Sequence, residues 1–513
     1  MKKYTFILLA ILLSTFSTYA QKKIKVACIG NSVTYGYGHE NPDVTSYPSQ
    51  LAIMLGDDYE VGNFGKSGAT LLRKGHRPYN EQEEFKKAIE FAPDIAIIHL
   101  GLNDTDPRNW KYYKKEFISD YIALIEAIEN ANPNVDIFIC RMTPIFHWHH
   151  RFQKGTRDWY WEIQATIENI AENIAEVKLI DLQELLYHRP DLMPDALHPN
   201  PEGAKLIAQR VYSAITGDFG GLSVSKLYSD NMVIQHDMPF IVKGTANAKE
   251  DIIVRFNKKT LKTQAGNDGK WEVCFDTTKV DGKKHKLTIK SKNKSLTFKN
   301  ILVGEVILCS GNYNPTYDSH QSTNFVKKHN DDIRIYYMET PNTSNVVTDL
   351  ENMNTIEKEI INNYYLYWPT TWQSINEDNI GYYASSYSLA AKISDSLQMP
   401  IGLIYNVVAD MPIESFIDRK TLEWHPTLLN TLYEWRNKDK MIDYCHPYEP
   451  SYIYVRGIAP LSSFSIGSAI LFMKHSDDDL ESIKMSALID SWRKTWNNED
   501  LPFIMQQSTF ETP

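Results

Sequence analysis

Between residues 22 and 217 short apolar runs alternate with segments of helical spacing, and this alternation constrains the fold more than any other feature. The apolar runs fall at 24–29, 59–63, 95–100, 136–140 and 177–180, and the helical segments at 47–55, 81–91, 117–130, 159–175 and 203–216. Strands joined through helices predict a parallel sheet, because a parallel crossover needs a connection about as long as a helix. The run Val26-Ala27-Cys28-Ile29 is apolar without a break, as expected of a strand covered on both faces. In such folds functional residues gather where the strands run out at their carboxyl ends. The polar residues that follow each run therefore carry the functional reading.

Four sets stand there: Gly30-Asn31-Ser32; Asn63-Phe64-Gly65-Lys66-Ser67-Gly68-Ala69-Thr70; Gly101-Leu102-Asn103-Asp104; and Asp195-Ala196-Leu197-His198-Pro199, which leads into the last helix. They suit acyl transfer. Ser32, at a strand-to-helix turn, would attack a carbonyl; His198 would take its proton and return it to the leaving alcohol. Asp195, three residues earlier, would orient the imidazole. The N–H groups of Ser32 and Gly68 and the Asn103 amide would receive the developing oxyanion. Each set alone also has a plain structural reading. Gly-Asn-Ser is ordinary turn chemistry, Asn103-Asp104 can cap a helix, and Gly65 and Gly68 can turn a loop. The stretch Phe146-His147-Trp148-His149-His150-Arg151 lacks a carboxylate at metal-ligand spacing, so no metal or other cofactor is expected there. It reads as a rim loop in which Trp148 could stack on a sugar, whereas packing is the plainer role for Trp159 and Trp161.

Taken in order, the four sets resemble the four blocks of the SGNH (GDSL-type) hydrolases, with Asn31 where Asp is more usual. The resemblance covers about residues 23 to 217. It implies a three-layer α/β/α domain, Ser32, Asp195 and His198 as the catalytic triad, and Ser32, Gly68 and Asn103 as the oxyanion hole.

After Asp218-Phe219-Gly220-Gly221 the pattern changes to strand-like runs with turn signals at 267–270 and 281–283, which predict a small β-sandwich over 222–300. From Ile301 a buried strand and renewed helical segments predict a second α/β unit over 301–513. This half resembles the sialate O-acetylesterases. The resemblance rests on Leu227-Tyr-Ser-Asp-Asn-Met-Val-Ile-Gln235, Asp268-Gly-Lys-Trp271, Leu302-Val-Gly-Glu-Val-Ile-Leu-Cys-Ser-Gly311, Pro400-Ile-Gly-Leu-Ile404 with Pro412-Ile-Glu-Ser415, and Trp492-Arg493 with Leu501-Pro-Phe503. Where that family has Gly-Gln-Ser-Asn-Met, this chain has Gly311-Asn312-Tyr313-Asn314-Pro315, so Tyr313 replaces the nucleophile. Two further blocks are altered, at 409–411 and 471–475, and Pro513 precedes the block that would hold the Asp and His. The second half is thus expected to be a degenerate, SGNH-like domain, structural or sugar-binding.

Residues 1–20, with Lys2-Lys3, an apolar run from Phe6 to Leu13 and a small residue at Ala20, read as a signal peptide. Gln21 follows it where a lipid anchor would need Cys. An exported, periplasmic or secreted protein without membrane insertion is expected. A formal charge of −10 with no basic run speaks against nucleic acid. Cys28, Cys140, Cys274, Cys309 and Cys445 form no CxxC pair, which disfavours a zinc site, and any disulfides among them cannot be assigned. The expected function is a serine esterase that removes O-acetyl groups from carbohydrate. The resemblance of the second half implies O-acetylated sialic acid as the first choice of substrate, with acetylated xylan or another polysaccharide the second. A glycan-binding protein with vestigial catalysis is the reading from another class.

Overall fold

The computed structural model describes residues 22–152, 155–174, 176–312, 331–338, 370–375, 384–408, 411–438, 449–473 and 478–505. The expected leader, Tyr313 to Pro315, Ala409-Asp410, Lys474-His475 and Cys445 lie outside the described residues. The chain divides into two compact units. The first comprises Met1–Pro144, Gln153–Leu185 and Leu197–Tyr212; the second comprises Ile145–Phe152, Leu186–Ala196 and Ser213–Pro513.

The first unit is built on five parallel strands, β1 (Ile24–Gly30), β2 (Tyr59–Gly65), β3 (Ile95–His99), β4 (Asp136–Arg141) and β5 (Val177–Asp181), in the order β2-β1-β3-β4-β5. Val26, Ala27, Cys28 and Ile29 are each fully buried, so side chains pointing to either face of β1 are covered. The connecting helices are α1 (Tyr47–Leu55), α2 (Glu83–Phe91), α3 (Phe117–Ala131), α4 (Thr156–Asn173) and α5 (Pro201–Thr216). In α3 the buried residues Phe117, Tyr121, Leu124, Ile125 and Ile128 form one stripe at helical spacing. All ten elements lie within three residues of the bounds expected from the sequence. Long unbroken apolar runs and amphipathic stripes of this kind leave little freedom in where the chain is extended or helical.

The second unit opens with two antiparallel layers. One contains β6 (Ser223–Val224), β8 (Pro239–Thr245) and β11 (Lys270–Thr277). The other contains β9 (Asp251–Phe256), β10 (Lys259–Gln264), β12 (His285–Lys290) and the first part of β13 (Ser295–Gly311). Phe240, Phe256 and Phe275, in mutual contact with ring centroids 5.0–6.1 Å apart, fill the space between them. β13 does not stop at residue 300. It runs on, flanked by β7 (Val233–Gln235), into a sheet with β14 (Ile333–Tyr337), β15 (Trp372–Ser374), β16 (Ile401–Val407), β17 (Ser468–Phe472) and β18 (Phe503–Met505). Val306 and Leu308 face the large core that also holds the sandwich phenylalanines, and Ile307 and Cys309 face a second core with Tyr387 and Leu403. One strand and one core thus span both β layers and the following α/β part.

Among the described residues the parallel strands of this second sheet run β14-β16-β13-β17-β18, with β7 parallel beside β13 and β15 antiparallel at one edge. The first strand by sequence, β13, lies between β16 and β17. In the first unit the corresponding β1 lies between β2 and β3. The second sheet is therefore α/β and parallel as expected, yet is no copy of the first.

Candidate functional site

β1 ends at Gly30, and the chain turns at once into a single helical turn, Ser32–Tyr35. Asn31 caps that turn: its Oδ1 accepts from the Val33 N–H at 3.0 Å. Ser32 is 5% exposed at the start of the turn. The turn fits because β2 ends beside it in glycine: a Cβ on Gly65 would lie 2.2 Å from the Tyr35 nitrogen. The imidazole of His198, from the segment before α5, meets the hydroxyl, with Nε2 2.8 Å from Ser32 Oγ. For Nε2 to accept that proton, the neutral ring carries its own on Nδ1. A contact of this length is what activation of a serine by an imidazole requires.

Gly68 has φ +79° in the loop after β2, and that loop is clamped from the turn after β3. The Asn103 amide donates to the Ala69 carbonyl at 3.0 Å. The Asp104 carboxyl accepts the N–H groups of Leu71 and Leu72, one on each oxygen, at 2.9 and 2.8 Å. Asn109 completes the clamp: its Nδ2 donates to the Asn103 carbonyl at 2.8 Å while its Oδ1 accepts the His76 N–H at 2.9 Å. Asp104 has no solvent exposure. Burial pushes its carboxyl up to about 7, against the pull of the backbone donors, which favour the charged form. His99, at the end of β3, is pushed down to about 4 by burial and, with its Nε2 accepting from the Thr143 N–H at 3.2 Å, is held neutral.

Among the expected site residues, Ser32 and His198 are brought together, and Gly68 and Asn103 share the clamped loop. Asp195 is exposed and lies in Leu186–Ala196, which clusters with the second unit.

Residues 28–206 match the GDSL-like lipase/acylhydrolase family. That stretch is an SGNH-type hydrolase domain. An acetylxylan esterase from Xylanibacter ruminicola is 36% identical over 214 residues, which cover 37% of this chain and 43% of the relative. The human sialate O-acetylesterase is 21% identical over 300 residues, 54% of each chain. The chain thus spans about half the length of these curated relatives. Among solved structures, a carbohydrate acetylesterase from Xanthomonas citri has a TM-score of 0.43 at 19% identity, covering 55% of this chain and 59% of that one.

Several residues that pack around Ser32, His198 and the loop after β2 carry no signal in local sequence. Asp104 looks like a helix cap, yet its partners lie 32 and 33 residues away. His39 donates from Nε2 to the Pro199 carbonyl at 2.9 Å across 160 residues and so braces the base segment. Tyr37 packs its ring 4.6 Å from that of His198. Only a fold that returns the last helix to the first strand makes such pairs adjacent.

The stretch 146–151 clusters with the second unit. Phe146 is buried and stacked on half-buried Trp148 at 4.9 Å, under the Arg419 guanidinium, and His147 bonds to the Leu432 carbonyl at 3.1 Å. Tyr187 of the other inserted segment donates to Glu423 at 2.8 Å beside the same arginine. Cys28, Cys140, Cys274 and Cys309 are free thiols. No helix among the described residues is long and apolar enough to cross a membrane.

Proposed function

We propose that the protein is a serine esterase that removes O-acetyl groups from carbohydrate. The observation that carries this reading is the 2.8 Å contact between Ser32 Oγ and His198 Nε2 at the carboxyl edge of the parallel sheet. In the first step Ser32 Oγ bonds to the acetyl carbon as its proton passes to His198. The tetrahedral intermediate then collapses, its bond to the sugar oxygen breaks, and His198 returns the proton to that oxygen. Water, deprotonated by the same imidazole, splits the acetyl-enzyme to acetate. Asp195 orients His198, and the Ser32 and Gly68 N–H groups with the Asn103 amide hold the oxyanion. The clamp from Asn103 and Asp104 holds that loop in place without moving during the reaction.

Acetylated xylan is the first substrate to test, supported by the relative of 36% identity. O-acetylated sialic acid is the second, supported by the longer but weaker likeness to the sialate O-acetylesterase. The leader-like residues 1–20 support export to the periplasm or medium. The second unit, whose strand end carries no serine at the expected position, is structural or binds glycan. Acetate release from both substrates by the wild type and by Ser32→Ala tests the reading. Activity on one of them, lost in the variant, is the expected result, and activity that survives the substitution overturns it.

A further inference from the structure

In the proposed reaction His198 protonates the oxygen of the departing sugar. The leaving oxygen therefore sits at the Nε2 edge beside Ser32 Oγ, and the sugar ring it carries extends from there past the imidazole. One aromatic side chain packs against the imidazole ring. Tyr37 lies 4.6 Å from the His198 ring, inclined by 45°, and is 53% exposed. That exposure sets it apart from the core aromatics of the same unit, such as Tyr47 and Tyr79 at 1%.

Tyr37 is also held rigidly. Its N–H donates to the Ser32 carbonyl at 2.9 Å, so its position is tied to the nucleophile. Gly36, at φ +89°, makes the left-handed turn that presents it, and a Cβ there would sit 2.8 Å from Ser46 Cβ. Two residues on, His39 is anchored to the Pro199 carbonyl. The backbone that carries Tyr37 is thus tied to the nucleophile on one side and, through His39, to the base segment on the other, while half of the residue's surface faces solvent. A core residue needs burial and a surface residue needs no such anchoring.

We propose that Tyr37 is a stacking platform for the pyranose ring that carries the scissile acetyl group, and so a specificity-determining residue of this site. The proposal rests on the esterase reading above. A tyrosine suits such a platform because its flat face matches the C–H face of a pyranose and its hydroxyl tolerates water. Because the sugar lies beside the proton donor, stacking would orient the leaving oxygen towards Nε2.

The test uses the full chain and two acetyl esters. One is acetylated xylo-oligosaccharide or O-acetyl sialic acid, whichever the wild type cleaves faster. The other is ethyl acetate, which has no ring to stack. Tyr37→Ala is expected to lower kcat/KM on the sugar ester about three- to tenfold more than on ethyl acetate, mainly through KM. Tyr37→Phe and Tyr37→Trp should keep the sugar activity. An equal loss on both esters would assign Tyr37 to positioning His198 and overturn the platform, as would unchanged sugar kinetics in Tyr37→Ala. A wild type that cleaves neither ester removes the esterase reading itself, and the platform with it.

Discussion

The ends of β1 and β13 are two versions of one device. Each is the first strand of a parallel sheet, buried on both faces, and each ends in a glycine against a neighbouring strand. A Cβ on Gly30 would lie 2.9 Å from the His99 carbonyl oxygen, and one on Gly311 would lie 2.1 Å from that of Phe472. Beyond this point they part. After Gly30 the chain presents Ser32 to an imidazole. After Gly311 it presents Asn312, whose amide donates to the Met411 carbonyl at 2.9 Å. At both ends the asparagine after the glycine is tied to backbone, Asn31 to the Val33 N–H and Asn312 to the Met411 carbonyl, and the sequences part at the next residue, Ser32 against Tyr313. Strand burial and the terminal glycine serve the fold, whereas a nucleophile serves only the reaction. The second sheet therefore holds its core with a tyrosine, Tyr313, in the place where the first has Ser32.

The sharpest break in this comparison is Ser32→Ala, which should lower kcat for acetate release by about 10³-fold or more without changing the unfolding curve. An effect on stability alone would leave the two strand ends alike.

Next in size is Trp492→Ala. Trp492 is fully buried in the second unit, with its indole N–H on the Phe416 carbonyl at 2.9 Å. Its loss should weaken the second unit by roughly 3–5 kcal/mol in chemical denaturation. A native-like cysteine count by thiol titration would confirm that the first core, with Cys28 and Cys140, stays closed.

Asp104→Asn probes the clamp through pH. The carboxyl is raised to about 7 in the folded state from 3.8, the value for an unperturbed Asp, so the folded state holds this proton more tightly than the unfolded. Its stabilising contribution is full below about pH 4 and is lost as pH rises through about 7. Wild type should therefore lose stability relative to Asp104→Asn across that window, by up to on the order of 4 kcal/mol. At the same time kcat should fall about tenfold or more in the variant, because an amide offers only one acceptor to two backbone donors. Parallel pH–stability curves for the two proteins would show that the carboxylate is not strained.

The smallest effect is expected for Asn312→Ala. It should cost roughly 1–2 kcal/mol of stability and leave acetate release unchanged. A lower kcat would mean that the second strand end takes part in the reaction after all.

Much of the fold was legible because long apolar runs must be buried wherever they go. The five strands and five helices of the first unit follow from spacing alone, and Ser32 and His198 from polar residues placed where strands end. Less was legible in the second unit. The turn signals mark its strands, but the continuity of β13 across residue 300 and the order β14-β16-β13-β17-β18 depend on pairings between distant segments. The stretch 146–151 illustrates the same limit: its aromatics suggest a rim loop, yet Phe146 is buried under Arg419, 273 residues later in the chain.

By itself the sequence determined which segments are extended, which are helical, and which residue types stand at the strand ends. Those are local matters of periodicity and turn chemistry. Tertiary structure alone decided that Asp104 grips Leu71 and Leu72, that His39 holds Pro199, and that Tyr37 rests on His198. Each of those contacts joins groups 32 to 161 residues apart. Such groups become partners only when parallel crossovers bring every strand's carboxyl end to one edge of the sheet.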